Sequence, residues 1–152
     1  MDVIVRVTSD CPLIDGTLIG QAIAGYLQQQ DPRLYLSNCL ERTFPRGFDF
    51  EIFSFELLEE AYRNATLPAE LEHVTPYINQ NKSGRVHFQH ITQAPDTSRF
   101  RITLDTPEDF ELIKILIEDH QAHLLPAADI CRLLDAHPEL VQINAQVAQK
   151  KL

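Results

Sequence analysis

The chain has 152 residues, 44% of them hydrophobic, which suits one domain with a real buried core. Its formal net charge of −9 argues against a general nucleic-acid surface, because phosphate binding needs clustered Lys and Arg, although a few donors and a metal can still hold a nucleotide. Cys11, Cys39 and Cys131 lie far apart with no CxxC spacing, which argues against a disulfide framework or zinc site and suits a reducing cytosol.

No apolar run approaches the ~18 residues of a membrane helix, and Met1 leads straight into a strand, so no signal peptide is visible. A cytoplasmic location without membrane partners is expected. Val3, Ile4, Val5 and Val7 form the first predicted strand. It is apolar on both faces, the pattern of a central parallel strand, which would need neighbours on both sides. The loop Thr8-Ser9-Asp10-Cys11-Pro12 follows, and a helix begins near Asp15 with an apolar stripe of Leu18, Ile19, Ala22, Ile23, Tyr26 and Leu27. Asp31-Pro32 breaks it. Leu34–Ser37 reads as a short strand, residues 38–49 as an exposed loop holding Pro45 and Gly47, and Phe50–Phe53 as another strand.

Residues 55–65 predict a helix with Leu57, Leu58, Ala61 and Tyr62 inward. A poorer helix opens at Thr66-Leu67-Pro68, carries Glu70, Glu72 and His73, and is expected to end at Pro76. Residues 86–91 alternate as a strand. Phe100, Ile102 and Leu104 alternate as the next, with Asp105 at its end. Thr106 suits a helix cap, Pro107 its first position, and Glu108 and Asp109 its first turn. Phe110, Ile113, Leu116 and Ile117 mark one face of that helix. Pro126 starts another with Ile130, Leu133 and Leu134 inward, His137-Pro138 ends it, and an amphipathic tail runs from Glu139 to Leu152. The order β-α-β-β-α-(α)-β-β-α-α predicts an α/β fold with a mixed sheet.

Asp10 and Asp105 each follow a strand and precede a helix, the kind of crevice where open α/β sheets bind ligands. Two such carboxylates can hold one Mg²⁺, with waters and phosphate completing its shell. Asp in that position is also a routine turn-former and helix cap.

The segments VIVRVTSDCPLID (Val3–Asp15), ERTFPRGFDFEIFSFELLEEAY (Glu41–Tyr62), EHVTPYI (Glu72–Ile78), LDTPEDFELI (Leu104–Ile113) and PELVQINAQVAQKK (Pro138–Lys151) together resemble the cytidylyltransferase family. The branch most resembled is the spore-coat-polysaccharide type, related to the acylneuraminate and 3-deoxy-manno-octulosonate cytidylyltransferases. The resemblance is collinear over residues 1–152, treated as one domain portion. It implies a nucleotide-diphospho-sugar-transferase fold, Rossmann-like, and transfer of CMP from CTP to a sugar or sugar acid with release of pyrophosphate. It places the Mg²⁺ ligands at Asp10 and Asp105, with Mg²⁺ expected only alongside nucleotide, and sets Thr8 and Ser9 beside that nucleotide. It directs sugar recognition to Arg42, Arg46, Asp49 and His73.

The family's opening strand and Gly- and Arg-containing phosphate loop have no counterpart here. Gly16, Gly20, Gly25, Gly47 and Gly84 form no phosphate-cradling cluster. The expectation is therefore a C-terminal portion of the family domain, without the first strands and the triphosphate site, and inactive alone. A catalytically dead binding or assembly module of the same descent is the alternative. Either way, an apolar Val3–Val7 edge predicts a homo-oligomer or a partner chain that buries it, or else low stability, with Leu140, Val141, Ile143 and Val147 of the tail as a candidate to cover part of the gap or to join a partner.

Several of these residues also have plainer readings. Arg6 suits a pairing with a nearby carboxylate as well as a phosphate contact. Cys11 suits a small buried position better than a nucleophile. His73 suits a surface or packing role as well as a sugar contact, and Arg42 and Arg46 suit either solvated charge or a bidentate clamp on a sugar carboxylate. His87 and His90 fall on opposite faces of their strand and cannot share a metal. Glu59-Glu60 reads as a solvated helix face.

Overall fold

The structure, a computed structural model, describes residues 2–148. Among these residues four short strands form one mixed sheet: β1 (Val3–Arg6), β2 (Leu34–Ser37), β3 (Glu51–Ser54) and β4 (His87–His90). Their spatial order is β1-β3-β2-β4. β3 is antiparallel to both β1 and β2, while β2 and β4 are parallel.

This corrects the expected place of the first strand. Among the described residues β1 pairs only with β3, and antiparallel, so it is an edge strand and not a central parallel one. Its double-sided apolar sequence leaves Val5 37% exposed, with Val7 beyond it 47% exposed. The strand expected over Phe100–Leu104 is also absent. That segment makes one isolated parallel bridge, Arg46↔Arg101, and packs Phe100 and Ile102 into the core as loop. Alternation alone does not make a strand when a loop can bury the same side chains.

Among the described residues seven helices surround the sheet: α1 (Gly16–Gln29), α2 (Phe55–Asn64), α3 (Pro68–His73), α4 (Pro76–Asn79), α5 (Pro107–Glu118), α6 (Ala127–Ala136) and α7 (Pro138–Gln142), with a 3₁₀ turn at Ala122–Leu124. The period-2 alternation of the strands sorts the core. Leu34, Leu36, Phe50 and Ile52 face α1, where Ala22 and Tyr26 are buried. Tyr35 and Phe53 face the opposite side, against Leu57 and Ala61 of α2 and Ile78 of α4. A third cluster joins Phe44, Phe48, Phe100 and Ile102 to Leu112 and Leu116 of α5 and Ile130 and Leu134 of α6. Residues 38–49 are therefore not the exposed loop their polarity predicts, because their aromatics anchor this cluster.

Three side chains expected inside lie outside, Leu27 of α1 at 50% exposure among them. Tyr62 is 85% and Phe110 58% exposed, whereas Leu112 and Asp109 take the inward face of α5. Pro76 opens α4 and does not simply end the preceding helix, as its place at N1 allows. Leu140, Val141 and Ile143 of the expected tail pack on the third cluster, its residues 149–152 lie outside the described residues, and among the described residues no strand pairs with the outer side of β1.

The helix starts follow their sequences. Asp15 caps α1, accepting from the N–H groups of Thr17 and Leu18 at 2.8 and 3.0 Å, and its other oxygen accepts from Ala127 N at 2.8 Å. One carboxylate thus joins the starts of α1 and α6. At α5, Thr106 Oγ1 accepts from Asp109 N, and Asp109 Oδ2 accepts from Thr106 N, both at 3.2 Å, forming a capping box.

Candidate functional site

Arg6 ends β1, Ser37 ends β2 and Glu51 begins β3, so all three lie at one end of the sheet. A cavity of about 590 Å³ opens there. It is the position that the carboxyl ends of sheet strands reserve for ligands. Seven of the eight residues singled out from the sequence line it: Thr8, Asp10, Arg42, Arg46, Asp49, His73 and Asp105. Ser9 lies in the same turn but does not line the cavity.

Asp10 and Asp105 come together through their backbones. Leu104 N donates to Asp10 O at 2.9 Å, which fastens the loop after β1 to the loop before α5. Asp105 follows loop and not a strand, but it reaches the same place. Among the described residues Asp10 has no cation partner; its Oδ1 has the Cys11 thiol 3.8 Å away. Asp105 Oδ2 accepts from Arg101 Nη2 at 2.7 Å. The donor set suits Mg²⁺: two hard carboxylates on adjoining loops, beside a space that admits waters and phosphate oxygens. Among the described residues no group of three or more His, Cys, Asp or Glu side chains encloses a metal unaided.

Arg42 and Asp49 face each other as a fork, with Nη1–Oδ1 at 2.6 Å and Nη2–Oδ2 at 2.9 Å. The bidentate geometry expected between Arg42 and an external carboxylate is thus made within the protein. Arg46 differs. Among the described residues no hydrogen bond or ion pair holds its guanidinium. Burial, then the neighbouring positive charges of Arg42 and Arg101, pull its pKa below the ordinary arginine value, against the attraction of Asp49. A cation placed among cations and left without its own anion is a natural contact for an anionic ligand group.

Gly47 fixes where Arg46 points. Its φ is 116°, and a Cβ there would lie 2.6 Å from Ile102 O. Arg46 N donates to Phe100 O at 3.2 Å and Ile102 N to Arg46 O at 2.8 Å, so the FPRG turn is stitched to the segment leading to Asp105.

Across the cavity, His73 and Thr75 flank Val74, whose φ and ψ are 68° and −53°. Thr75 N donates to His73 O at 2.8 Å. This is a γ-turn of the rare positive-φ kind, strained for a β-branched residue. It delivers both neighbours to the cavity wall.

Two networks escaped the reading of the sequence. In the first, the Glu51 carboxylate, 6% exposed, accepts from Arg6 Nη1 at 2.5 Å, Thr75 Oγ1 at 2.8 Å and the Tyr35 hydroxyl. Burial, with the Glu51 charge beside it, pushes the Tyr35 phenol well above its ordinary value, so it stays a proton donor. Arg6 has the carboxylate pairing that its apolar strand suggested, and it lines the cavity as well. In the second, Arg101 grips the fully buried Asp109 with Nε–Oδ1 at 3.0 Å and Nη2–Oδ2 at 2.8 Å. Asn144 Nδ2 donates to Asp109 Oδ1 at 2.7 Å, and the N–H groups of Asp105 and Thr106 donate to Oδ2. Burial alone would raise the Asp109 carboxyl, but Arg101, Asn144 and the Asp105 amide hold it below the usual carboxylate range.

Burial disfavours the thiolate form of Cys11 and Cys39: it pushes the Cys11 thiol up to about 11 and Cys39 up to about 12, so both stay protonated near neutral pH.

At one end of a mixed α/β sheet, two carboxylates and an arginine without a hydrogen-bond partner among the described residues line one cavity, an arrangement able to accept a small anionic ligand. The chain belongs to the cytidylyltransferase family, whose model matches residues 1–150. It is 32% identical over 150 residues to an uncharacterized protein of Methanocaldococcus jannaschii, covering 98% of this chain and 60% of that protein. It is 30% identical over 140 residues to the spore coat polysaccharide biosynthesis protein SpsF of Bacillus subtilis, covering 90% of this chain and 56% of SpsF. A solved cytidylyltransferase from Leptospira borgpetersenii superposes with a TM-score of 0.86 at 34% identity, over 100% of this chain and 61% of that one. The chain therefore spans about three fifths of the length of the relatives it matches. Among the described residues no helix is long and apolar enough to cross a membrane.

Proposed function

We propose that this chain is the metal- and sugar-side portion of a nucleotidyltransferase that moves CMP from CTP to a sugar or sugar acid. The likeness to SpsF, a spore coat polysaccharide biosynthesis protein, supports surface polysaccharide or glycan biosynthesis as the setting. In this reading the chain corresponds to the C-terminal portion of its longer relatives and needs an N-terminal segment, in the same gene product or a separate chain, for full activity. The observation that carries the reading is a single cavity holding Asp10 and Asp105 together with Arg42, Arg46, Asp49 and His73.

In the reaction, a sugar hydroxyl attacks the α-phosphorus of CTP, the bond to the β-phosphate breaks, and pyrophosphate leaves. Asp10 and Asp105 would hold Mg²⁺, which would supply charge neutralisation at the phosphates when bound. Thr8 lies in the Asp10 turn beside the nucleotide. Arg46 takes an anionic group of the bound sugar acid or nucleotide. Asp49 orients Arg42, and the two together shape the wall that Arg46 shares. His73 and Thr75 offer polar contacts from the opposite wall, held there by the γ-turn at Val74.

Titration of the isotopically labelled chain with CTP and Mg²⁺, followed by amide NMR, tests this reading. Shifts are expected on residues 8–10, 42–49 and 101–106, and Asp105→Asn should abolish their Mg²⁺ dependence. Shifts confined to other surfaces would overturn it. A pyrophosphate-release assay tests the incompleteness separately: the 152-residue chain is expected to turn CTP over many powers of ten below a complete enzyme. Brisk Mg²⁺-dependent release, lost in Asp105→Asn, would show the chain to be an enzyme by itself.

The alternative is a binding or assembly module that has lost catalysis. The edge of β1, unpaired on its outer side among the described residues and with Val5 and Val7 exposed, is the observation that favours it.

A further inference from the structure

Arg101 occupies an unusual place. Its guanidinium is mostly buried and lies between two carboxylates, one inside the protein and one facing the cavity. Asp109, fully buried, holds it by two hydrogen bonds, and Asp109 is itself held by Asn144 and two backbone amides. Asp105, half exposed, receives a single bond from Nη2 at 2.7 Å. The anchoring is therefore unequal: breaking the Asp105 contact leaves Arg101 in position, whereas breaking the Asp109 contacts would dismantle the start of α5.

We infer that Arg101 is a guard on Asp105 that makes the Asp10–Asp105 pair a poor site for a bare divalent cation and couples metal binding to the arrival of an anionic ligand. The inference rests on the proposed metal role of those two aspartates. Arg101 and Asp109 are neutral as a pair, but the pair presents its positive end to Asp105 and occupies one of that carboxylate's two oxygens. A divalent ion approaching Asp105 meets a fixed guanidinium at hydrogen-bond range from its prospective ligand, where like-charge repulsion is strong in a partly buried site. Arg46 adds a second positive charge to the same cavity. A ligand carrying several negative charges reverses this balance, since it satisfies the arginines and contributes oxygens to the metal together. Arg101 acts through Asp105 and is a positioning residue.

The test is binding of Mn²⁺ alone, read as loss of the free-ion electron paramagnetic resonance signal. Arg101→Met is compared with wild type, and the neutral double variant Arg101→Met/Asp109→Asn avoids a buried unpaired carboxylate. Near-ultraviolet circular dichroism checks that each variant keeps its packing. Arg101→Met is expected to bind Mn²⁺ roughly tenfold more tightly than wild type, and the double variant to move in the same direction. Asp105→Asn added to either variant should remove the gain. A folded double variant that binds Mn²⁺ no more tightly than wild type would overturn the guard. If Asp10→Asn and Asp105→Asn weaken Mn²⁺ binding while that double variant shows no gain, only the guard fails and the metal reading stands. If no variant takes up Mn²⁺, or none depends on either aspartate, both fail together.

Discussion

Gly47 and Val74 show opposite uses of a positive φ. Gly47 is a glycine because a Cβ would strike the Ile102 carbonyl, and that close approach sets the Arg46 guanidinium in the cavity. Gly47→Ala should therefore destabilise the protein by about 1–3 kcal/mol and displace Arg46. Denaturant unfolding measures the first effect; an unchanged midpoint would mean that the turn relaxes without cost. Val74 adopts a positive φ without glycine's freedom, between two cavity residues. Its side chain is exposed and buries little. Val74→Gly should leave stability equal or raise it by about 1 kcal/mol, because strain relief opposes the added chain entropy. The same substitution should loosen His73 and Thr75. A loss of more than about 2 kcal/mol would show that the valine packs in a way its exposure conceals.

At the scale of elements, the start of α5 is where fold and site meet. Thr106, Pro107 and Asp109 make the helix begin where it does, and Asp109 also anchors Arg101. The Asp109 carboxyl is held below its unfolded value of ~3.9, so the linkage has a definite sign. Its stabilising contribution is fully present above that pH and is lost as pH falls through the folded value. Asp109→Asn should cost about 1–3 kcal/mol at pH 7, with the gap from wild type narrowing below about pH 4. Urea unfolding at pH 7 and pH 3 checks this, and a gap that stays constant would mean that Asp109 does not carry the acid sensitivity. Sequence periodicity served this element well at its start and less well along its length. Capping residues act over three or four positions, so they are visible locally. Which face points inward depends on what lies opposite, and here a buried ion pair displaced Phe110 from the interior.

For the whole molecule, the governing feature is the edge at β1. The strand's outer side makes no pairing among the described residues, and Val5 and Val7 are accessible. Unpaired apolar edges recruit other chains. Self-association at micromolar concentration is expected by sedimentation, and Val5→Lys should reduce it without altering the secondary-structure spectrum. A monomer at all concentrations would show that the edge is protected by some other means.

The sequence by itself determined the α/β class, most of the helix starts, and seven of the residues that line the cavity. These depend on short-range patterns: alternation of two, caps of three or four, and motif segments long enough to be specific. It could not decide that β1 is an antiparallel edge, because strands apolar on both faces look alike whether one side or two are paired. Nor could it show that residues 100–104 bury their side chains as loop, or that Arg42 is already engaged by Asp49. The Arg101–Asp109–Asn144 and Arg6–Glu51–Tyr35–Thr75 networks also came only from tertiary structure. Asn144 lies 35 residues from Asp109, and Glu51 is 45 from Arg6 and 24 from Thr75. Contacts at such separations leave no periodic trace, since they are fixed by where packed elements bring their ends together and by the requirement that each buried charge find its partner there.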